Sequence, residues 1–407
     1  MGASGAERTS YERALYLIVR GAEPLPAEVA PLDQCGGRVL AEDVVAGVNV
    51  PAYARSAVDG FAVRARDLVS ATSSSPVILE IVGSSRPGEP ASAALPARAC
   101  VRVATGAALP DGADAVVMLE DVDELDQGSR RAVRFSRDAR AGKHVITIGE
   151  DVRAGEVLLR RGRVLRAHDL GVAASLEVAA LLVLARPRVE VLVTGNEIVP
   201  PGAPRGGSQI VDSNSVVIRE LAGRDGAQVA AVRYLADDPA VLSATLRTSD
   251  ADVILISGGS SVGAEDHAPR VLAELGQVLV RGVSIRPGGP TTFGRYGDKW
   301  VFLLPGHPLA CLTAYELLAG PLLRVIGGHP AAWPHPVLHV PLLEPIESVA
   351  GRTDFVRVTL DDDGARPLRH HTGSSNLSAA VRADGAILIP SATQHLARGE
   401  GVRVFRF

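Results

Sequence analysis

The sequence predicts a multidomain α/β protein, and three observations carry that prediction. At 407 residues the chain is too long for one ordinary core, so about two to four domains are expected. Across residues 188–325, apolar β-branched runs alternate with helix-like stretches, the rhythm of a parallel or mixed sheet with helices on its faces. At 51–143, and again after 329, short apolar runs are separated by Pro, Gly and Ser clusters, which is the texture of β-rich units.

The elements follow in order. Tyr11, Leu15, Ile18 and Val19 recur at helical spacing behind Ser10 as the cap, and residues 21–26 break the pattern. Residues 27–50 read as short β pieces, and 77–82, 100–104 and 115–119 as strands of the β-rich unit. From 149 to 183 the chain turns β-like and then helical, ending near Arg186-Pro187. Strand 189–193, a helix over 213–221 stopped by Gly223, and strand 229–234 open the alternating region. Asp238 caps the next helix, with Pro239 at its first position, and that helix runs towards Arg247. Strand 253–256 leads through a Gly/Ser-rich loop into a helix ending at Glu274. Strand 301–304 leads through Pro305-Gly-His-Pro308 into a helix ending at Leu318. After the Pro/Gly-rich 327–336, strands at 337–342, 355–360, 386–389 and 402–405 predict a separate C-terminal barrel or sandwich.

Composition narrows the function. A net charge of −4 argues against a general nucleic-acid-binding surface. Lys143 and Lys299 are the only lysines, so contacts to anions must come mostly from guanidinium groups or backbone amides. Cys35, Cys100 and Cys311 are far apart and odd in number, which speaks against a disulfide framework or a zinc–thiolate site and fits a reducing cytosol. The N-terminus has no apolar signal-peptide core. The apolar window near 176–185 is short and contains Glu177, so it reads as a core element, not a membrane span.

The most informative stretch is Val253-Ile-Leu-Ile-Ser-Gly-Gly-Ser-Ser-Val-Gly263, followed by Asp266. In an open α/β sheet ligands bind beyond the carboxyl ends of the strands. Gly258, Gly259 and Gly263 let the backbone approach a ligand, and the loop amides, with Ser257 and Ser260 among them, suit an anion. Six other places join turn residues to reactive groups. Arg55, Ser56 and Asp59 lie in a turn that reads equally as a hairpin, and Thr105 ends a strand or marks a plain Thr-Gly turn. Asp151 follows Gly149-Glu150, and Glu197 follows Thr194-Gly-Asn at a strand end. Asp237 precedes the capping Asp238, and His307 lies between Pro305 and Pro308, as a ligand contact or a structural turn residue. No phosphate loop of the G-x-x-x-x-G-K-[ST] type, no H-E-x-x-H and no G-x-S-x-G is present. Carboxylates, hydroxyls and glycines at loop tips suit a phosphate-bearing ligand and a hard cation.

Taken in order, these motifs resemble the molybdopterin molybdenumtransferase family, called MoeA in bacteria and represented in eukaryotes by the E domain of gephyrin. The marks are Ser-Ala-Val-Asp-Gly-Phe-Ala at 56–62, Ala-Thr-Gly-Ala at 104–107, Gly-Glu-Asp at 149–151, Thr-Gly-Asn-Glu at 194–197, Ser-Gly-Gly-Ser-Ser-Val-Gly at 257–263 and Leu-Pro-Gly-His-Pro at 304–308. The resemblance spans the chain from Ser10 onward. It implies an elongated four-part homodimer with a molybdopterin-binding α/β domain at 1–26 and 187–328. A β-rich inserted domain would occupy 51–143, a linking domain 27–50 and 144–186, and a C-terminal β-barrel-like domain 329–407. It also implies a cytoplasmic enzyme that takes adenylylated molybdopterin, cleaves its phosphoanhydride, releases AMP and inserts molybdate at the dithiolene sulfurs to give molybdenum cofactor. Mg²⁺ would assist, with a molybdopterin adenylyltransferase as partner and neither nucleic acid nor membrane involved.

Residue by residue, the resemblance makes Asp59, Thr105, Glu197, Asp237 and Asp266 catalytic, with Glu197, Asp237 and Asp266 at the metal. Asp59 and Thr105 would act across the dimer interface. Asp151, Ser257, Gly258, Gly259, Ser260, Gly263, Arg286, Pro305, Pro308, Arg352 and Ser378 would hold substrate. Two positions depart from the family. Gly289 stands where a lysine is usual in Arg-Pro-Gly-Lys-Pro, and His307 stands for asparagine. Arg281 and Arg286 are the candidates to compensate. A non-catalytic scaffold on the same fold, or a nicotinamide-nucleotide enzyme sharing the molybdopterin-binding fold, are the competing readings.

Overall fold

The computed structural model describes residues 8–89, 94–126, 131–258, 267–368 and 375–407. The chain divides into two compact units, one of residues 30–36 and 42–181, the other of the remainder.

The larger unit is built on a six-stranded mixed sheet. Its order is Gln228–Leu235, Arg188–Thr194, Val253–Ser257, Lys299–Leu304, Thr292–Tyr296, Gln277–Arg281. The first four run parallel, and Thr292–Tyr296 runs antiparallel to both of its neighbours, so Gln277–Arg281 points the same way as the first four. The antiparallel pair at 277–296 is absent from the sequence reading, because the apolar run of one strand is only Val278-Leu-Val280 and the other is interrupted by Gly294 and Arg295. The central strand Val253–Ser257 is buried at every position, as a strand covered on both faces must be. Successive residues feed opposite layers. Val253 and Leu255 join a core with Ala14, Ile18, Ile218 and Leu322. Ile254 and Ile256 join another with Leu242, Leu246, Val271 and Leu272. Each such side chain, fully buried, contributes roughly 1.5–3 kcal/mol.

The helices obey the expected signals with two corrections. Ser10 Oγ accepts the Arg13 N–H at 3.2 Å, and Asp238 Oδ1 accepts the Ala240 N–H at 2.7 Å, with Pro239 opening the helix Pro239–Thr248. The first helix, Tyr11–Gly21, buries Ala14 and Ile18, while Val19 faces out. The helix Asn214–Arg224 does not stop at Gly223 but runs past it. The helix beginning at Pro308 does not end at Leu318. It passes through a π turn, Tyr315–Ala319, and continues as Gly320–Ile326, because Pro321 falls in the first turn of the new segment, where no N–H is required of it. Pro308–Ile326 has the length and hydropathy of a membrane span, but it is 89% buried inside the fold, as a core helix is.

Also in this unit, a second sheet runs Ile285–Arg286, Thr353–Asp361, Gly385–Ile389, Gly401–Arg406, Val337–Pro341. Its own core gathers Leu342, Val358, Ile387 and Val404. This is the anticipated C-terminal β-rich domain, whose sheet is extended by the two-residue strand Ile285–Arg286.

The smaller unit holds a six-stranded sheet ordered Ala115–Met118, Gly60–Val63, Ala99–Val103, Val77–Ser85, Arg131–Phe135, Val122–Asp126. Phe61 and Phe135 meet edge-on at 6.5 Å in its core. Gly60 is needed for close approach: a Cβ there would stand 2.0 Å from the Val117 carbonyl oxygen.

Candidate active site

Four parallel strands end side by side, in the register Thr194 with Leu235, Val193 with Ser257, and Ser257 with Leu304. Their exits carry Glu197, Asp237, Gly258 and Pro305, so the sheet itself aligns four of the predicted residues along one edge. Glu197 and Asp237 are both exposed. The two loops touch, since the Asp237 N–H donates to Asn196 Oδ1 at 3.3 Å. A short parallel ladder, Ile198–Val199 with Ile210–Val211, steadies the first loop, and the Ile210 N–H donates to the Glu197 carbonyl at 2.8 Å.

Ser257 is buried, and its hydroxyl accepts from Asn214 Nδ2 at 2.8 Å. The same amide nitrogen donates to the Gly306 carbonyl, also at 2.8 Å. Asn214 therefore ties the 257 strand end to the 305–308 bend. Asp212 holds Asn214 in turn: its Oδ1 accepts the Asn214 and Ser215 N–H groups at 2.9 and 3.1 Å, and its Oδ2 accepts the Ser215 and Tyr234 hydroxyls. These residues were missed in the sequence. The signal was there, because Asp-Ser-Asn-Ser directly before a helix is a capping sequence. Gly258 sits at φ +101°, and a Cβ there would meet the Thr194 carbonyl oxygen at 2.2 Å and its hydroxyl at 3.1 Å. Only glycine fits. Thr194 Oγ1 is buried with no hydrogen-bond partner among the described residues. Cys311 lies beside Ser257, and burial pushes its thiol up to about 12, so it stays neutral and unreactive. Gly259, Ser260, Gly263 and Asp266 lie outside the described residues.

A cavity of about 350 Å³ lies in the same unit, lined by Arg8, Arg286, Gly288, Gly289, His307 and Arg352, with Pro305 in its wall. Pro308 opens the helix behind it. Arg352 grips Asp354 with both arms of its fork, at 2.6 and 3.0 Å. Arg281 does not line the cavity. Ser378 is not in its lining either; it is exposed at the start of the short helix Ser378–Val381. An adjoining apolar cavity of about 430 Å³ shares Arg286 and contains buried Arg357, whose guanidinium burial pushes down to about 10.

In the smaller unit, Asp59 and Thr105 are brought together. Asp59 Oδ1 accepts both the Thr105 N–H at 2.7 Å and its hydroxyl at 3.2 Å, and both residues are exposed. Beneath them Ser56 is fully buried and Arg55 keeps a buried Nε with no partner among the described residues. Asp151 is exposed on another loop, its N–H bound to the Val50 carbonyl at 3.0 Å.

Among the described residues no three His, Cys, Asp or Glu side chains group closely enough to hold a metal ion by themselves. The donor set still suits Mg²⁺. Glu197 and Asp237 are exposed carboxylates with no ion pair among the described residues, at touching loops beside an orphaned hydroxyl. Mg²⁺ commonly binds through one or two carboxylates plus substrate phosphate oxygens.

Comparison with known proteins decides the family. The chain is 33% identical over 407 aligned residues to a Mycobacterium tuberculosis protein named molybdopterin molybdenumtransferase 2, covering 97% of this chain and 98% of that one. The chain belongs to the molybdopterin molybdenumtransferase family. A Haemophilus influenzae molybdopterin molybdenumtransferase is 31% identical, covering 94% of this chain and 95% of its own length. A solved molybdopterin biosynthesis MoeA protein from Pyrococcus horikoshii superposes with a TM-score of 0.81 at 33% identity, covering 98% of this chain and 99% of that chain. Residues 9–176 match the MoeA N-terminal region (domain I and II) and 339–407 the MoeA C-terminal region (domain IV). Residues 190–325, which carry the row of strand ends, match the family described as the probable molybdopterin binding domain. MoeA-type architecture, with a molybdopterin-binding domain and a C-terminal β-rich domain, is the fold the sequence predicted.

Proposed function

We propose that this chain is a transferase of molybdenum cofactor biosynthesis: it cleaves the phosphoanhydride of adenylylated molybdopterin, releases AMP, and inserts molybdate at the dithiolene sulfurs. The observation that carries this reading is the row of Glu197, Asp237 and Ser257-Gly258 along one edge of the sheet in the molybdopterin-binding domain. The left-handed Gly258 backbone turn, at φ +101°, suits a phosphate approaching the strand end, and Asn214 fixes that turn relative to the 305–308 bend. Glu197 and Asp237 would hold Mg²⁺, with Asp266 as the third carboxylate. Bound there, Mg²⁺ would offset phosphate charge. The guanidinium-lined cavity suits molybdate, a small dianion. Asp59 and Thr105 supply a carboxylate and a hydroxyl fixed to one another, and Asp151, Arg352 and Ser378 remain the other substrate-contacting residues on this reading. The chain would work as a cytoplasmic homodimer, with a molybdopterin adenylyltransferase supplying its substrate.

The test is purified protein with adenylylated molybdopterin, molybdate and Mg²⁺, with AMP followed by chromatography. AMP release that depends on both ions supports the reading. No AMP under any divalent cation rejects it.

A further inference from the structure

Arg8 lies outside every motif that carried the functional reading, yet the fold fixes it at the cavity. Thr9 pairs with Val283 in a parallel bridge; the Thr9 N–H donates to Gly282 O at 3.1 Å, and the Ser284 N–H donates to Thr9 O at 2.8 Å. This register lays the Arg8 side chain along the 282–289 turn, 3.3 Å from where a Gly282 Cβ would be. Its tip lies over Gly289. A Cβ at Gly289 would stand 2.5 Å from Arg8 Nη1 and 3.1 Å from its Cζ. Gly289 is buried, and its φ is outside the left-handed region, so its backbone conformation does not demand glycine. What demands glycine is the space taken by the guanidinium.

Arg8, Arg286 and Arg352 line the cavity with His307, and among the described residues no Asp or Glu lines it. Arg352 is already held by Asp354, whereas Arg8 makes no ion pair among the described residues. We infer that Arg8 is a specificity-determining ligand for the oxyanion of this cavity, entering through the space that Gly289 leaves open. It stands in for a cation carried on residue 289 itself. This rests on the reading that the cavity takes molybdate. A guanidinium differs from an ammonium in offering a planar, permanently charged fork with parallel N–H donors, which matches an oxyanion edge.

The test measures molybdate binding to the full-length protein by equilibrium dialysis at low ionic strength, with thermal melting as the folding control. Arg8→Ala should weaken binding by at least about tenfold, the scale of one lost charged hydrogen bond. Gly289→Ala should do the same with little loss of melting temperature, since its methyl group displaces the flexible tip of Arg8 and meets the Ile285 carbonyl oxygen only at 3.3 Å. The double variant Arg8→Ala/Gly289→Lys should recover most of the affinity, which a merely structural role for Arg8 would not allow. Wild-type affinity in Arg8→Ala overturns the inference and leaves the molybdate reading standing. So does a loss in Arg281→Ala matched by none in Arg8→Ala. If the wild-type protein binds neither molybdate nor sulfate, the cavity is not an oxyanion site and both ideas fail.

Discussion

Asn214 joins two strand ends through one amide nitrogen, 2.8 Å from Ser257 Oγ and 2.8 Å from Gly306 O. Truncating it leaves the buried Ser257 hydroxyl, and with it the Gly306 carbonyl, without their donor. Asn214→Ala should therefore cost about 1–3 kcal/mol in urea unfolding, and an unchanged midpoint would show that the clamp is dispensable. Glu197 and Asp237 lie at the other extreme, exposed and without an ion pair or side-chain hydrogen bond among the described residues. Asp237→Asn should leave the melting temperature unchanged and slow AMP release by at least about tenfold, an activation cost of ~1.4 kcal/mol; full turnover would make Asp237 a bystander. Ser257 and Gly258 were readable because an apolar β-branched run that breaks into glycine announces a strand end. Asn214 and Arg8 were not. Their partners are brought to them only by the folded sheet, and no local pattern encodes that meeting.

At the scale of elements, the helix pair Asn214–Arg224 and Pro308–Ile326 is locked by a buried ionic network. Asp225 accepts from Arg324 Nη1 at 2.8 Å, Arg224 Nη2 at 2.9 Å and the Tyr315 hydroxyl at 3.0 Å. Removing one partner of such a network strands the others, so Asp225→Ala should lose about 3–5 kcal/mol in chemical denaturation. A loss below about 1 kcal/mol would mean that water reaches Arg324 and replaces the carboxylate. The same contacts explain where the sequence misled. A glycine near a helix end usually marks the stop, yet at Gly223 the chain gains by continuing one more residue to place Arg224 against Glu316, 2.7 Å away. A helix judged by its apolar run alone ends at Leu318. The structure continues it because Leu322, Leu323 and Ile326 still face the core beyond the π turn.

For the molecule as a whole, Glu316 gives a pH signature. Burial alone would raise its pKa, but the His335 imidazole 3.6 Å away and hydrogen bonds from Arg224 and Trp333 outweigh that and hold it down at about 2, against 4.5 for the free side chain. A carboxyl group depressed on folding stabilises the native state above its unfolded pKa, and that contribution fades as pH falls from about 4.5 towards 2. The free energy of unfolding should drop across that window by an amount on the order of 3 kcal/mol, and Glu316→Gln should flatten the drop; equal pH dependence in both proteins would clear Glu316 of the role. The parallel sheet and the C-terminal β-rich domain were legible from rhythm and texture, whereas the antiparallel pair at 277–296 was hidden by one apolar run of only three residues and by Gly294 and Arg295 in its partner. The principal core has a consequence for manufacture. It gathers Ala14 and Ile18 from the first helix, Leu322 and Leu323 from the long apolar one, and Phe355 and Ala386 from the last strands. On the ribosome, the segment 308–326 emerges after the first helix, the helix Asn214–Arg224 and the strand Lys299–Leu304 that it packs on, while Phe355 and Ala386 close the same core only when the later strands follow. Chaperone demand during synthesis is thus set by the order in which one core is assembled.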